Sequence, residues 1–400
     1  MTVDCLTEDE HSIIVQTEIV NSINLVNTKD WIQLNRFENP YLSIQYLSAL
    51  EKSLSYFDFR YIIFYDELKN PIGIAYCQII KITNKEINTD ALVNRLGSKF
   101  PKNLINSLDL RILICGNAFA TGENGFIFNY DIEPKVALDV LTAVIDEINL
   151  AEKKKNRKIT ITLIKEFWPE HSKYGSYLKE NGCCEVNIDV NMILKFDESW
   201  KTFDDYLSAM NSKFRTKAKQ VLNKSQPLLI VDFTPSLIVE RLDEINALYN
   251  SLIDKVSFSF GRLNALTLLN MKEALGDNFF FRGYYLDRKL IGFCTATSFN
   301  QILDGNYIGL DYEYNQDYAV YQRILYDFVE HAFKNNLREI RIGRTAEEIK
   351  SGVGALPTEM KFYAKHRNKV TNAILRPFVQ NLKPSEFNLR RPFKAKYYND

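Results

Sequence analysis

One order of elements occurs twice in this chain, and that internal repeat restricts the possible folds more than any other feature of the sequence. Residues 72–78 (IGIAYCQ) follow one hairpin turn, and residues 291–297 (IGFCTAT) follow another in the same way. In both copies a strand, an amphipathic helix and a further strand come next, with the helix-to-strand step at 137–161 and at 319–343. The offsets are 219 and 182 residues, so the first copy holds about 37 additional residues between hairpin and helix. A duplicated α/β unit explains this order better than two unrelated domains.

Each copy is predicted to contain helices, a hairpin and a strand, helix and strand in succession. In the first copy these are helices near Trp31 and at 41–54, a hairpin at 61–82, a polar helical stretch at 84–107, a strand at 110–115, a helix at 136–148 and strands at 159–164 and near 194. In the second they are helices at 237–253 and 263–275, a hairpin at 279–299, a strand at 307–312, a helix at 320–333 and strands at 339–342 and 360–364.

A chain of 400 residues is expected to form two domains of ordinary size. The predicted boundaries are 1–196 for a first domain, 197–227 for a basic linker helix, 228–369 for a second domain and 370–400 for a tail. The fold class is therefore α/β with some α+β character, each domain being a mixed sheet flanked by helices.

Several function classes are disfavoured by composition. Fifty basic and fifty acidic side chains give no net charge, which argues against DNA binding through general phosphate neutralisation. The six cysteines show no CxxC spacing and the four histidines form no ligand pair, so we expect buried thiols and no metal site. No apolar run reaches the ~18 residues of a membrane span, and the acidic start is unlike a signal peptide. These features predict a cytoplasmic protein.

Ionisable side chains crowd the end of one predicted strand in the second copy. The strand at 339–342 breaks at Gly343, and Arg344, Thr345, Glu348 and Lys350 follow within eight residues. Ligands commonly bind outside the carboxyl ends of strands in open α/β sheets, so this segment is the first candidate for a site. The alternative is a solvated helix start whose carboxylates favour the helix dipole.

A basic helix is predicted between the two halves. Its cationic side chains are Lys213, Arg215, Lys217, Lys219 and Lys224. It is either a solvated linker or an element that contacts an anion such as a phosphate or a membrane headgroup.

The order of elements resembles that of the GNAT N-acyltransferase superfamily, and a tandem pair joined by a basic helix resembles its FemAB-like, peptidoglycan-biosynthesis-type branch. The segments that carry the resemblance are SFSFGRL at 257–263, YIGLDYEY at 307–314, YQRILYDFVEHAF at 321–333 and GRTAEEIKSGVGALP at 343–357. The chain also resembles the GNAT-type bacterial ceramide synthases. These resemblances imply two tandem GNAT-like domains with twisted mixed sheets, no bound cofactor, and an acyl-CoA or acyl carrier protein as the donor substrate.

One departure from the family pattern concerns the donor. GNAT enzymes usually bind the CoA pyrophosphate at a glycine-containing turn before a helix, where backbone N–H groups face the phosphates. In this chain residues 315–320 read NQDYAV, without a glycine. Ordinary acetyl-CoA binding is therefore not expected, and a long-chain acyl-CoA, an acyl carrier protein or an aminoacyl-tRNA remains open as donor.

The resemblance and the strand-end positions together suggest a set of site residues. Those expected to act in catalysis are Glu348, Lys350, Asp311 and Tyr363. Those expected to bind substrate are Arg344, Thr345, Arg262, Tyr321 and Arg215.

The proposed roles follow from the chemistry of acyl transfer to an amine. An alkylammonium is unprotonated in roughly one part in a thousand at neutral pH, so a base is needed, and Glu348 and Asp311 are the candidates. Arg344 and Lys350 would hold an anionic group, while Tyr321 and Tyr363 would protonate a departing thiolate. The alternatives are a capping carboxylate for Asp311 and a core or rim position for the tyrosines.

Two other function classes remain open. The first copy reads LIKEFWP at 163–169, without a charged cluster like that of the second, so it is expected to be degenerate. The whole protein would then be either an enzyme with one active half or a non-catalytic binding protein. A FemAB-like aminoacyl transferase is the enzymatic alternative, although zero net charge disfavours a tRNA partner.

The last segment mixes apolar and basic residues. Between residues 370 and 398 it contains Ile374, Leu375, Phe378, Phe387 and Phe393, interleaved with Arg376, Lys383, Arg390, Arg391 and Lys394. Such a mixture suits an anionic headgroup layer and predicts peripheral contact with the inner membrane face and a lipid amine as acceptor. The alternative is a tail packed on the second domain.

Overall fold

The computed structural model describes residues 2–6, 12–35, 38–83, 109–187, 189–254, 261–368 and 386–398. Three predictions lie wholly or partly outside this range: the polar helix at 84–107, the first residues of the 257–263 motif, and most of the tail at 370–400. In the described part, no helix is both long enough and apolar enough to span a bilayer.

The described strands have the following bounds: β1 Thr2–Leu6, β2 Ser12–Val20, β3 Phe57–Tyr65, β4 Pro71–Thr83, β5 Asp109–Cys115, β6 Phe126–Phe128, β7 Ile161–Phe167, β8 Cys184–Asn187, β9 Asn191–Lys195, β10 Leu229–Asp232, β11 Phe279–Leu286, β12 Lys289–Phe299, β13 Ile302–Leu310, β14 Glu339–Arg341, β15 Leu356–Thr358 and β16 Lys361–His366.

The described α-helices are α1 Thr28–Leu34, α2 Ile44–Ser53, α3 Pro134–Lys154, α4 Gly175–Glu180, α5 Phe203–Ala209, α6 Ser212–Lys224, α7 Pro235–Glu240, α8 Leu242–Ile253, α9 Ala265–Leu275, α10 Tyr312–Tyr318, α11 Val320–Lys334 and α12 Glu347–Gly352.

The chain forms two compact units, each assembled from separate stretches of sequence. Unit 1 consists of Met1–Ile188, Ser257–Arg262 and Glu359–Pro384, and unit 2 consists of Asp189–Val256, Leu263–Thr358 and Ser385–Asp400. Each unit contains one mixed sheet with helices packed against it, which is the predicted fold class.

The two sheets share one strand order over seven strands, to which unit 1 adds β1 at its edge and β6 beside β4. In unit 1 the order is β1-β2-β3-β4-β5-β7-β16-β8, with β6 also paired to β4. In unit 2 it is β10-β11-β12-β13-β14-β9-β15. β5 and β7 are parallel, as are β13 and β14, and the hairpins β3–β4 and β11–β12 occupy equivalent places. The predicted duplication is therefore confirmed.

The predicted linear domain boundaries at 196 and 369 do not follow this division. β9 belongs to the first copy in sequence, but it pairs with β14 and β15 in the sheet of unit 2. β16 belongs to the second copy, but it lies between β7 and β8 in the sheet of unit 1. The physical reason is core burial: Met192 and Leu194 of β9 lie in the core of unit 2, and Tyr363 of β16 lies in that of unit 1.

The predicted linker helix at 197–227 is also different in the structure. It consists of two helices, α5 and α6, and both belong to unit 2. Tyr206 of α5 and Ala218 of α6 are fully buried in the core of that unit. The stretch is therefore part of a domain, with only its outer face basic.

The crossover helices form where apolar residues recur at helical spacing. α3 begins with Pro134, whose missing N–H is tolerated in a first turn, and buries Val136, Val140 and Val144 against the sheet. α11 buries Ile324, Phe328 and Ala332 in the same way, and we expect about 1.5 to 3 kcal/mol from each large side chain. The described cysteine thiols Cys77, Cys115, Cys183, Cys184 and Cys294 are free and buried, as predicted.

Candidate functional site

The sheet of unit 2 opens between two parallel strands. The ladder between β13 and β14 runs from Ile302↔Glu339 to Asp304↔Arg341 and stops there. β13 continues to Leu310, whereas the chain leaves β14 through Gly343, which adopts a left-handed conformation with φ 66°. The two chains therefore diverge at the carboxyl ends of the strands, where ligands of such sheets bind.

A β-bulge lies in β13 beside this opening. The register between β12 and β13 shifts between Cys294 and Ala296, so β13 carries one additional residue there. The Thr295 hydroxyl accepts the backbone N–H of Tyr307 at 3.0 Å and compensates for the interrupted ladder. Bulges are common next to active sites because they redirect backbone groups and side chains.

The segment in which the sequence lacks a glycine turns out to contain a helix, α10, followed directly by α11. Ala319 joins them in a left-handed conformation, with φ 50°. The Asn315 side chain accepts the N–H of Tyr321 at 2.9 Å and caps the first turn of α11. Ala319 therefore takes a backbone conformation that is usual for glycine, at a cost of about 1 to 2 kcal/mol. An alanine at this position in the sequence does not predict that conformation.

A cleft of about 510 Å³ lies beside the amino end of α11 in unit 2. Its walls come from α6, from the junction of α10 and α11, from α12 and from the segment at 390. Its lining residues include Lys217, Lys224, Arg390, Gln220, Gln316 and Gln322. Lys224 donates to the backbone oxygen of Gln316 at 3.1 Å, which ties α6 to α10. The cleft thus combines cationic and amide groups with the positive end of a 15-residue helix.

Glu348 lies on α12, next to this cleft, and forms an ion pair with Arg390. The Arg390 Nε donates to the Glu348 carboxylate at 3.2 Å, and a second guanidinium N–H contacts the same oxygen. Both side chains are partly exposed, at 37% for Arg390 and 44% for Glu348. The pair ties α12 to the segment at 390.

Lys350 is fully buried and points to the loop before α12. Its Nζ donates to the backbone oxygens of Gly343 at 3.3 Å and Arg344 at 2.6 Å. Burial lowers the pKa of Lys350 to about 7, and Glu347 opposes that shift. The side chain thus holds the 343–346 loop, in which Thr345 (φ 66°) and Ala346 (φ 52°) are also left-handed.

Arg344 and Thr345 were predicted to bind substrate, and both lie on this loop. The Arg344 Nε donates to the backbone oxygen of Asp189 at 3.0 Å. Thr345 is exposed, and a left-handed conformation is uncommon for a β-branched residue. Strained backbone of this kind persists where surrounding contacts hold it, often at functional sites, and the Lys350 hydrogen bonds provide such contacts.

Asp311 follows β13 and caps α10. Its side chain accepts the N–H of Glu313 at 3.1 Å and pairs with Lys289 at 2.9 Å. The capping role that the sequence left open is therefore present. Whether Asp311 also takes part in proton transfer remains a prediction.

The other predicted site residues are distributed over both units. Tyr321 lies in the first turn of α11, near Tyr312 and Glu347, and burial raises the pKa of its hydroxyl. Tyr363 lies in the core of unit 1, where burial raises its pKa to about 12 and its ring packs edge-on against Phe167. The structure therefore assigns Tyr363 the core position that was the alternative.

Arg262 and Arg215 also lie outside the cleft. Arg262 belongs to unit 1, is exposed, and its backbone forms two hydrogen bonds with the Tyr56 hydroxyl. Arg215 lies on α6, but the cleft is lined by Lys217 and Lys224 of that helix instead. The basic helix predicted from sequence therefore lines the cleft, but through lysines other than the predicted Arg215.

Unit 1 has a charged group and a cleft of its own at the corresponding strand ends. Lys165 and Glu166, at the end of β7, are buried and 3.3 Å apart. Lys165 donates to the backbone oxygen of Ala120 at 3.2 Å, and Glu166 accepts the N–H of Gly122 at 3.0 Å. A largely apolar cleft of about 320 Å³ adjoins them, lined among others by Phe126, Phe128, Phe167, Glu123 and His171. The stretch 163–169 therefore places one buried ion pair at this strand end, and the degeneracy of the first copy stays a prediction.

Comparison with solved structures identifies the architecture. The structure of FemX matches with a TM-score of 0.55 and 12% identity, over 90% of this chain and 100% of that one. A tandem GNAT protein from the clavulanic acid biosynthesis pathway matches with a TM-score of 0.50 and 9% identity, over 88% and 99%. No family model matches the sequence, and neither does any curated protein.

These similarities establish the fold. The chain has the tandem GNAT fold, as the sequence resemblance implied, and it covers the full length of FemX. At 9 to 12% identity the similarity extends to architecture alone. Any assignment of activity therefore depends on the geometry of the clefts.

Proposed function

We propose that this protein is an N-acyltransferase that moves an acyl group from a phosphate-bearing thioester to a primary amine. The observation that carries the proposal is the cleft at the amino end of α11, lined by Lys217, Lys224 and Arg390 in a unit with the GNAT fold. The donor is a long-chain acyl-CoA or an acyl carrier protein. The acceptor is a lipid amine such as a sphingoid base.

The donor phosphates would occupy the cationic cleft. Lys217 and Lys224 lie about two turns apart on one face of α6, and their ammonium groups supply two point charges. Arg390 supplies a planar guanidinium that can donate two hydrogen bonds to one phosphate. The amino end of α11 adds backbone N–H groups and the positive end of its dipole. The thioester arm would then reach the opening between β13 and β14, where β13 carries its bulge.

Donor binding would also prepare the base. Arg390 holds Glu348 in an ion pair, and a donor phosphate would compete for the same guanidinium. Release of Arg390 leaves the Glu348 carboxylate to accept a proton from the acceptor ammonium. The amine then attacks the thioester carbonyl, and the thiolate departs as the carbonyl re-forms.

The attacking nitrogen must lose a second proton and the departing thiolate must gain one, and Tyr321 would relay that proton from the nitrogen to the sulfur. Burial raises the pKa of its hydroxyl, so the phenol is protonated at neutral pH. Lys350 has a positioning role in this scheme, because its hydrogen bonds to Gly343 and Arg344 fix the loop beside Glu348. Asp311 and Lys289 would order the start of α10.

The lipid acceptor rests on the resemblance to ceramide synthases and on the apolar and basic composition of 370–400. Part of that segment has another role, because Phe393 is buried in the core of unit 2 and Arg390 pairs with Glu348. The proposed peripheral contact with the inner membrane face therefore does not rest on Phe393 or Arg390.

An aminoacyl-tRNA-dependent transfer, with a peptidoglycan precursor as acceptor, is the second candidate. The observation that favours it is the full-length similarity to FemX, together with a cleft whose cations suit nucleic-acid phosphates equally well. The two candidates share the amine acceptor and the acyl chemistry. They differ in the carrier.

A thiol-release assay tests the proposal. Purified protein is given acyl-CoAs and acyl carrier proteins of several chain lengths with a sphingoid base, an amino acid and a peptidoglycan precursor, and charged tRNA is assayed in parallel. Amine-dependent thiol release supports the proposal, product formation with charged tRNA alone selects the second candidate, and no transfer with any donor contradicts both.

A matched pair of variants then tests the cleft. Lys217→Gln/Lys224→Gln should raise the KM for the donor about ten-fold, since each lost charge-assisted contact is worth about 1 kcal/mol or more. Lys213→Gln/Lys219→Gln removes the same charge from the same helix, at positions that do not line the cleft. Equal effects of the two pairs would show that the donor binds elsewhere.

A further inference from the structure

A second polar cavity lies in unit 1, at the amino end of β7, whereas the apolar cleft of that unit lies at its carboxyl end. It is a groove of about 850 Å³, which we call the basic groove. It is bounded by the second half of α3, the start of β7, the end of α4 and the end of β16. The α3 residues that line it, Asp146, Asn149, Leu150 and Lys153, follow the three- and four-residue spacing of one helix face.

Cations predominate in the lining of the basic groove. Lys153, Lys158, Lys365 and Arg367 face two carboxylates, Asp146 and Glu180. Asp146 is paired with Lys365 at 2.9 Å. Within the described residues, Lys153, Lys158 and Arg367 have no ion-pair partner, so the groove keeps uncompensated positive charge.

The lining also contains a neutral hydroxyl. Thr162 is 5% exposed, and its hydroxyl oxygen accepts the Asn149 amide at 3.2 Å, which leaves the hydroxyl proton to donate. Asn181 and Gly182 line the same side, but the Asn181 amide already donates to Asp139 and Tyr177, and the Gly182 N–H donates to Lys179. Cationic side chains around a hydroxyl donor match a group with several acceptor oxygens and negative charge.

We propose that the basic groove binds a phosphate group, carried either by a soluble phosphorylated compound or by a lipid headgroup. The ammonium groups of Lys153 and Lys158 supply the attraction, and the guanidinium of Arg367 provides a planar contact. The site is separate from the proposed donor cleft, because all its lining residues belong to unit 1. The inference therefore does not depend on the transfer reaction.

The experiment uses the full-length chain with Lys217→Gln/Lys224→Gln in the background, so that the donor cleft does not contribute. Binding of pyrophosphate is measured by calorimetry, and binding to vesicles of phosphatidylcholine with and without phosphatidic acid is measured by flotation. The test variant is Lys153→Gln/Lys158→Gln. The control is Lys154→Gln/Lys155→Gln, which removes two exposed charges from the same segment outside the groove.

We expect the test variant to weaken binding at least ten-fold and the control less than two-fold. If only pyrophosphate binding is lost, the ligand is a soluble phosphate compound, and if vesicle binding is lost, it is a headgroup. Equal losses in test and control, or no binding of either probe by the background protein, would overturn the proposal. Thermal unfolding of each variant checks that a loss of binding is not a loss of fold.

Discussion

The Glu348–Arg390 pair leads to a prediction at the level of single residues. Glu348→Gln should lower kcat by about 10²- to 10⁴-fold, because it removes the proposed base, with little change in the donor KM. Arg390→Gln should instead raise the donor KM.

Glu330→Gln is the matched control, since Glu330 also forms an ion pair, with Lys334 at 2.9 Å on α11, but lies outside the cleft. Near-normal kcat in Glu348→Gln would make Asp311 the next candidate base.

Lys350 gives a prediction about pH and stability. Its pKa is lowered from 10.5 to about 7 in the folded chain, so between these values the unfolded chain holds a proton that the folded chain lacks. The free energy of unfolding should therefore rise with pH in this window, by up to about 1.4 kcal/mol per pH unit. Below pH 7 both states are protonated and the contribution of this group levels off.

Denaturant titrations at pH 7, 8 and 9 measure this slope. In Lys350→Met the part of the slope due to Lys350 should disappear, whatever the variant's stability at pH 7. Lys195→Met is the control, because the Lys195 side chain is 78% exposed and should leave the slope unchanged. A slope that persists in Lys350→Met would mean that another group is responsible.

At the residue scale, the sequence predicted the position of the candidate loop but not the contacts of its side chains. The strand-end position of 344–350 followed from hydrophobic alternation and one glycine. The Lys350 side chain points toward the backbone oxygens of Gly343 and Arg344 because the loop before α12 is left-handed. The residue types at Thr345 and Ala346 do not predict that conformation. Arg390 was counted with the tail because its partner Glu348 lies 42 residues earlier.

At the scale of elements, α3 illustrates what long-range ion pairing adds to an amphipathic helix. Glu152, near its end, is 1% exposed and accepts from Arg60 at 2.6 Å and from the Arg157 Nε at 2.9 Å. Arg111 also approaches it, at 3.4 Å. These three arginines come from β3, from the turn after α3 and from β5, so one buried carboxylate joins the helix to two strands.

Glu152→Gln should therefore lower the free energy of unfolding by about 3 kcal/mol, because it leaves the partly buried Arg60 guanidinium without its carboxylate, whereas Arg111 and Arg157 keep Asp58 as an ion-pair partner. Asp146→Asn on the same helix removes an ion pair whose carboxylate is 51% exposed and should cost less than about 1 kcal/mol. Chemical denaturation of the two variants and the parent at pH 7 makes the comparison. Similar losses in both would mean that burial does not strengthen the Glu152 cluster.

The period of the apolar residues predicted both crossover helices, α3 and α11, from sequence. The apolar period did not predict that Glu152 is buried in ion pairs. In the sequence Glu152 is only a charged residue near a helix end, and its partner Arg60 lies 92 residues away. For α6 the same limit applied: its basic residues were identified, but the cleft face was fixed by α10 and α11, about a hundred residues later in the chain.

At the scale of the whole molecule, the strand order of the duplication was predictable and the exchange of β9 and β16 was not. Each of these strands is short, with five residues in β9 and six in β16, and neither shows an alternating pattern that would assign it to one sheet. Their positions are settled by pairing: β16 bonds to both β7 and β8, and β9 to both β14 and β15. A boundary drawn along the sequence therefore cuts through both sheets.

This exchange predicts that the first half cannot fold properly alone. A fragment of residues 1–189 contains β7 and β8 but lacks β16, which separates them in the sheet, so it would leave two unpaired strand edges and expose the core around Leu178. We expect this fragment to unfold without a cooperative transition and to bind a hydrophobic dye. The same fragment extended by a flexible linker and residues 359–368 regains Phe362 and Tyr363 and should unfold cooperatively.

An extension with the same composition in scrambled order is the control, since it supplies length and charge without the register of Lys361↔Asn187 and Ala364↔Cys184. Cooperative unfolding of the unextended fragment would contradict a structural requirement for the exchanged strand, whereas rescue by the native extension alone would show that the sheet of unit 1 is completed by a strand from the second half.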